Sequence, residues 1–225
     1  MEQVNLKTEK IEEILDVLEK KLPKREFNLY IPSSDFNPKD IISIQKEANK
    51  MMKHIGLDGY IATITYEKTK DGTAGYINLN FDKEVWITVD KGSNHLKWKV
   101  LAIMAHEICH KYLYINGVHF PKPFDNLLEW YTDLATIYVG FAILTLNGCK
   151  IQSESRYHER IIAITHLTGY LEKSNFEYAY LRLMTSQKKS VIRYNRYLSD
   201  KIGYKRIICY NVSKLLKRNP IKHKK

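Results

Sequence analysis

Residues 106–110 read His-Glu-Ile-Cys-His, and no other feature of the chain limits its fold and chemistry so tightly. Two histidines four positions apart lie one turn apart on the same face of a helix. Their imidazoles can therefore reach a single metal ion. Glu107 is turned about 100° away from His106. It can stand beside the metal without ligating it and take a proton from a water that the metal has acidified. This is the mechanical content of His-Glu-x-x-His on a helix, and zinc is the ion it implies. The surrounding pattern predicts a helix from about His95 to Tyr114. Leu101, Met104, Ala105, Ile108, Tyr112 and Ile115 face away from the histidines.

A catalytic zinc takes three protein ligands and keeps one position open. Three candidates for the third ligand follow: His119, Glu129 and Asp133. Glu129 and Asp133 share a face of the next predicted helix, Asn126 to about Leu146, for which Asp125 is the expected cap. That helix is otherwise apolar, and a carboxylate buried without a partner is costly. A metal ion gives one acid its partner, and the free N–H of a metal-bound histidine gives the other its own. Glu129 is therefore expected as ligand, with Asp133 accepting from His106 or His110. Tyr157, His158, His166 and Tyr170 follow in the chain, and one of them could donate a hydrogen bond to a developing oxyanion.

His106-Glu107-x-x-His110 followed by Glu129-x-x-x-Asp133 resembles the gluzincin class of zincin metallopeptidases, typified by thermolysin. The close match is confined to the two helices, and the wider resemblance covers residues 60 to 148. It implies His106, His110 and Glu129 as zinc ligands, Glu107 as base and Asp133 as the acid that orients a histidine. It also implies a peptide or protein substrate lying extended beside a sheet edge strand, for which Val85 to Val89 is the expected element. In size the chain is similar to the small intracellular ImmA/IrrE-like peptidases, although Cys109 stands where those often carry glycine. The metzincin extension is absent, since Leu113 and Asn116 occupy the positions of its glycine and third histidine. The downstream tyrosine and histidine of thermolysin-like enzymes have no clear match.

The rest of the chain predicts an α+β organisation. Helices are expected over Thr8–Lys21 and after Pro38 to a stop at Gly56. Three short strands, Tyr60–Tyr66, Tyr76–Phe81 and Val85–Val89, suggest an antiparallel meander, with Lys70-Asp71-Gly72 as a turn. Lys91-Gly92-Ser93-Asn94 breaks the sheet and offers a helix cap. After residue 150 the pattern reads as helical, over Glu154–Leu167, Phe176–Ser186 and Ser190–Leu216. A chain of 225 residues suits one domain. Residues 1–150 form its zincin-like catalytic region and 151–225 a basic, helical part of the same domain.

Charge is uneven. Of the 36 Lys and Arg residues, 13 fall between Lys188 and Lys225, against one acid, Asp200. Such a segment could meet nucleic acid or an acidic partner. With Tyr178, Tyr180, Tyr194, Tyr197, Tyr204 and Tyr210, the arginines Arg182, Arg193, Arg196 and Arg206 could build a stacking surface. The alternative reading is thus a binding regulator in which a zincin fold is inactive or subordinate. Cys109, Cys149 and Cys209 form no paired motif, as expected in a reducing compartment. The charged N-terminus carries no signal pattern. The longest apolar run, Leu134–Leu146, is shorter than the roughly 20 residues of a membrane span. A cytoplasmic location is the expectation.

Overall fold

A computed structural model describes residues 3–24, 26–68, 74–79, 83–93, 96–118, 125–157, 160–203 and 206–211, leaving aside the side chains of 125 and 154–163. The chain is mixed α and β. Two amphipathic helices open it, α1 (Thr8–Lys21) and α2 (Ile41–His54). The first buries Ile11, Ile14, Leu15 and Leu18; the second buries Ile44, Ala48, Met51 and Met52. Asp40 caps α2 by accepting from the Ile42 amide. Gly56 ends that turn at φ +81°, a left-handed conformation that glycine adopts without penalty.

Strands β1 (Ile61–Glu67), β2 (Gly75–Asn78) and β3 (Glu84–Asp90) form one sheet in the order β1-β3-β2. The expected antiparallel meander is not what forms. β1 and β3 are parallel neighbours, and only β2 runs antiparallel, on the far side of β3. Burial explains the order. Val85, Ile87 and Val89 of β3 are all but inaccessible, so this strand takes the centre. The short β2 exposes Tyr76 and suits an edge. Val85–Val89 is therefore the central strand rather than the edge that the sequence suggested, and β2 lies at an edge of the described sheet.

A 3-10 turn at Lys91–Ser93 leads to α3 (Lys97–Ile115), whose N-cap is Leu96 and which has no side-chain cap. From Val100 to Leu113 this helix is buried nearly all round, as expected of a helix at the centre of a core. Ile115 in its last turn is exposed instead.

The single helix expected over residues 126–146 is two, α4 (Asp125–Tyr138) and α5 (Ala142–Gly148), so Asp125 lies in the first turn rather than before it. Gly140 makes the break at φ +99°. Its carbonyl accepts from the Tyr30 amide at 2.8 Å, and a Cβ there would collide with the Asn28 carbonyl oxygen. The segment around Phe27–Ile31 thus docks into the gap between two helices.

The helix expected at Glu154–Leu167 is instead a hairpin of β4 (Lys150–Tyr157) and β5 (Arg160–Leu167), paired from Lys150↔Leu167 to Tyr157↔Arg160. Ile161, Ile162, Ile164 and Thr165 are branched at Cβ, which favours a strand over a helix. The C-terminal part is therefore not wholly helical. Beyond it come α6 (Lys173–Ser186) and the five-residue α7 (Val191–Asn195). The long basic helix expected from Ser190 is interrupted. Asn195 exchanges two hydrogen bonds with the Ile202 backbone, and Asn147 holds Tyr197 O and Ser199 N. These side chains offer the backbone an alternative to helix. Residues 206–211 are helical again.

α1 packs on α4 and α6, and Arg182 of α6 pairs with Glu12, Asp16 and Glu19 of α1. Ahead of α1, Val4 forms a parallel bridge with Leu171. Among the described residues no helix is long and apolar enough to cross a membrane. Among the described residues no disulfide forms: Cys109 and Cys149 are buried and Cys209 is exposed.

Candidate metal centre

α3 carries His106, Glu107 and His110, and α4 packs against it with Glu129, Thr132 and Asp133. His106 is held from both ends. Its Nδ1 donates to Asp133 Oδ1 at 2.8 Å, and its Nε2 lies 3.0 Å from Glu129 Oε2. His110 Nδ1 donates to Thr132 Oγ1 at 3.1 Å, and Thr132 spends its own proton on Leu128 O at 2.9 Å. The direction of both histidine bonds follows from their partners: Asp133 already acts as acceptor, taking the Tyr170 and Leu171 amides on its other oxygen, and Thr132 has given its own proton to Leu128 O.

That assignment leaves a lone pair on Nε2 of each neutral imidazole. The two Nε2 atoms are 3.0 Å apart, and Glu129 Oε2 is 3.2 Å from that of His110. Three acceptors thus converge, and they hold together only around a cation, either a proton or a metal ion. His106, His110 and Glu129 form a group able to hold a metal ion.

The electrostatics agree. Burial disfavours a charge on His106, yet its hydrogen bonds to Asp133 and Glu129 outweigh this and raise its pKa well above the ordinary histidine value. Burial would raise Glu129 as well, but its contacts with His106 and His110, where a proton is held between them, bring it down to about 2. Glu107 goes the other way. Burial lifts its carboxyl above the ordinary value, and the two histidines only partly offset this.

The group opens onto a cleft of about 350 Å³. His106, Glu107, His110 and Glu129 line one part of it, with Ile103 and Leu128 beside them. Ala74, Gly75, Tyr76, Ile77 and Leu79, from β2 and its ends, form one wall; Thr168, Gly169 and Tyr170 also face it. Gly75 is required there. A Cβ would come within 2.5 Å of Ile103 Cγ2 and 2.9 Å of Thr88 O, and 3.5 Å from Glu107 Oε1. At position 75 the wall facing Glu107 is therefore main chain. Lys111, almost fully buried, reaches from α3 toward the Leu79 carbonyl at 3.5 Å and lies over the rings of Tyr60 and Tyr114.

Of the four residues considered as oxyanion donors, Tyr170 lines the cleft, its ring stacked 6.0 Å from that of His106. Burial and the nearby carboxylates Glu129, Glu107 and Asp133 push its phenol up to about 12. His166 does not line the cleft; it sits on β5 against Ser153 Oγ at 3.0 Å. Tyr157 belongs to β4, but its side chain lies outside the described residues, as do His158 and the alternative ligand His119. Thr132, Gly75 and Gly169 were not anticipated. Thr132 had a signal, since it shares a helical face with Glu129 and Asp133.

Part of the set that could build a stacking surface is committed to packing within the fold. Tyr180 is fully buried, Tyr178 bonds Glu12, and Arg182 is taken up by three acids of α1. Arg193 and Arg196 remain exposed over Tyr194 and Tyr197. Residues 212–225 and Tyr204 lie outside the described residues. In comparisons with known proteins, the chain matches no protein-family model, no curated protein and no solved structure.

Proposed function

We propose that this protein is a zinc-dependent hydrolase of the gluzincin type, a metallopeptidase that cleaves an extended peptide. The observation that carries the reading is the convergence of His106 Nε2, His110 Nε2 and Glu129 Oε2 beside the free carboxyl of Glu107. Ligands bound tetrahedrally at about 2.0–2.1 Å stand roughly 3.3 Å apart. The three separations here are 3.0, 3.0 and 3.2 Å, so the donor set suits an ion of that size. Two imidazoles and one carboxylate are also a catalytic rather than a structural zinc set.

The bound ion supplies a Lewis acid that acidifies water and polarises a carbonyl. The chain supplies the rest. Asp133 and Thr132 fix both imidazoles in the tautomer that leaves Nε2 free. Glu107, its pKa lifted by burial, accepts a proton from the attacking water and returns it to the leaving amine. Tyr170, protonated at neutral pH, donates toward the oxygen that gains charge. β2, at an edge of the described sheet, would offer main-chain groups to an extended substrate.

The test uses zinc-loaded protein and a library of unstructured peptides, with products read by mass spectrometry. Wild type cleaves; Glu107→Gln keeps its zinc and loses about 10²–10⁴ in rate. Intact peptides in the presence of stoichiometric zinc would overturn the peptidase reading.

A further inference from the structure

Asp133 has two oxygens and two different duties. Oδ1 takes the Nδ1 proton of His106. Oδ2 accepts from the backbone amides of Tyr170 and Leu171, at 2.7 and 2.9 Å. The same carboxylate therefore anchors both a metal-binding imidazole and the turn that carries Tyr170. That turn leaves Asp133 little room to rotate. Gly169, at φ +84°, is so close that a Cβ would lie 3.0 Å from Oδ1 and 3.1 Å from Oδ2.

The turn is strapped from outside by the start of the chain. Val4 N donates to Tyr170 O at 2.8 Å, and Glu172 N donates to Val4 O at 3.0 Å. The Gln3 side-chain amide donates to Thr168 O at 3.2 Å and Gly169 O at 3.4 Å. Asn175 of α6 clamps the other end of the strap, accepting from Leu6 N at 3.1 Å and donating to Leu6 O at 3.0 Å. This chain of contacts runs unbroken from residues 3–6 to His106.

We propose that residues 3–6, the turn 168–172 and Asp133 form a positioning strap that is thermodynamically coupled to the metal centre, so that filling the centre and seating Tyr170 over the cleft favour each other. The inference rests on the reading of His106, His110 and Glu129 as a zinc site. The coupling has a physical source. A cation on His106 Nε2 makes the Nδ1–H a stronger donor, which fixes the Asp133 carboxylate in one orientation. That orientation is the one the two turn amides require. Each partner thus meets a carboxylate that the other has already ordered, and the ordering cost falls once. Coupling of this kind is reciprocal: the factor by which zinc tightens the strap is the factor by which the strap tightens zinc. Gln3, Asn175 and the strap backbone are positioning elements and touch no reacting atom.

Two measurements on the full chain test this. In the first, amide hydrogen exchange is followed with and without zinc. Exchange at Val4, Tyr170, Leu171 and Glu172 slows on zinc addition, while amides of α2, remote from the strap, keep their rates. In the second, zinc affinity is compared between wild type and Gln3→Ala by competition with a chelator. The variant binds zinc about fivefold more weakly or worse, and its zinc-induced protection at residues 168–172 shrinks in step. A strap that merely holds the fold together would lower thermal stability and leave zinc affinity unchanged. Zinc binding with no change in exchange, or equal affinity in both proteins, overturns the coupling and leaves the metal centre standing. Failure to bind zinc at all overturns both.

Discussion

His110 Nδ1 lies 3.1 Å from Thr132 Oγ1, whose own hydroxyl proton is committed to Leu128 O at 2.9 Å. A backbone carbonyl one turn away on α4 thus decides which nitrogen of His110 faces Glu129. Replacing Thr132 by valine removes the acceptor at nearly constant volume. Zinc affinity is expected to fall about tenfold to a hundredfold, the usual effect of losing an outer partner of a metal-bound histidine. Thr132→Ser retains it. Competition titration against a chromophoric chelator checks both variants.

Proton and metal compete for the lone pair of His106, which sets the pH dependence. Its raised pKa means that zinc has to displace a proton over a wide pH range. Affinity therefore falls as pH is lowered, tenfold per unit for each proton displaced. The metal-free protein behaves oppositely. A raised histidine stabilises the fold fully below the ordinary value of 6.5 and ceases to do so as pH rises through its folded value. Glu129, held down at about 2, stabilises it above the usual carboxylate range and stops doing so as pH falls toward 2. Thermal melts with and without chelator then diverge as pH rises, and zinc at a hundred times its Kd adds about 2.7 kcal/mol. Parallel curves would contradict this.

Gly140→Ala strains a residue at φ +99° and drives a methyl into the Asn28 carbonyl. A loss of stability of about 2 kcal/mol or more follows, read from the urea midpoint. The zinc stoichiometry of the folded fraction stays the same, because the break between α4 and α5 lies beyond the ligand turn.

Arg182→Ala leaves Glu12, Asp16 and Glu19 without their shared cation. Those acids are well exposed, at 35–56% of their side-chain area, so solvent takes over most of the interaction. A cost of about 1 kcal/mol is expected, smaller in high salt, with no effect on metal content.

The convergence of the side chains around His106 was legible because helical spacing is a local property. His106, Glu107 and His110 are placed by one helix, and Glu129 and Asp133 by the next. A buried acid pair on an apolar helix demanded partners, and the histidines are those partners. The cleft was less legible because its other parts arrive from far along the chain. β2 and Tyr170 reach the centre by sheet order and by a turn after β5, and neither is encoded near the motif. The order β1-β3-β2 depends on which strand buries best, and a pattern of alternation read strand by strand does not rank them. The β4–β5 hairpin was misread because apolar residues there also fit a helical spacing; the run of branched side chains from Ile161 was the signal to weigh. Gly140 was read through as part of one helix, because what it admits, the backbone of Asn28, comes from far back in the chain.

Gly75 has no side chain to offer, and a Cβ there would lie 3.5 Å from Glu107 Oε1. On the proposed peptidase reading, a strand edge that pairs through main-chain hydrogen bonds would sort what enters along β2 by whether it can straighten over several residues. Stretches locked in helices or in folded sheets would be turned away at that threshold, and slack segments of otherwise folded proteins would pass.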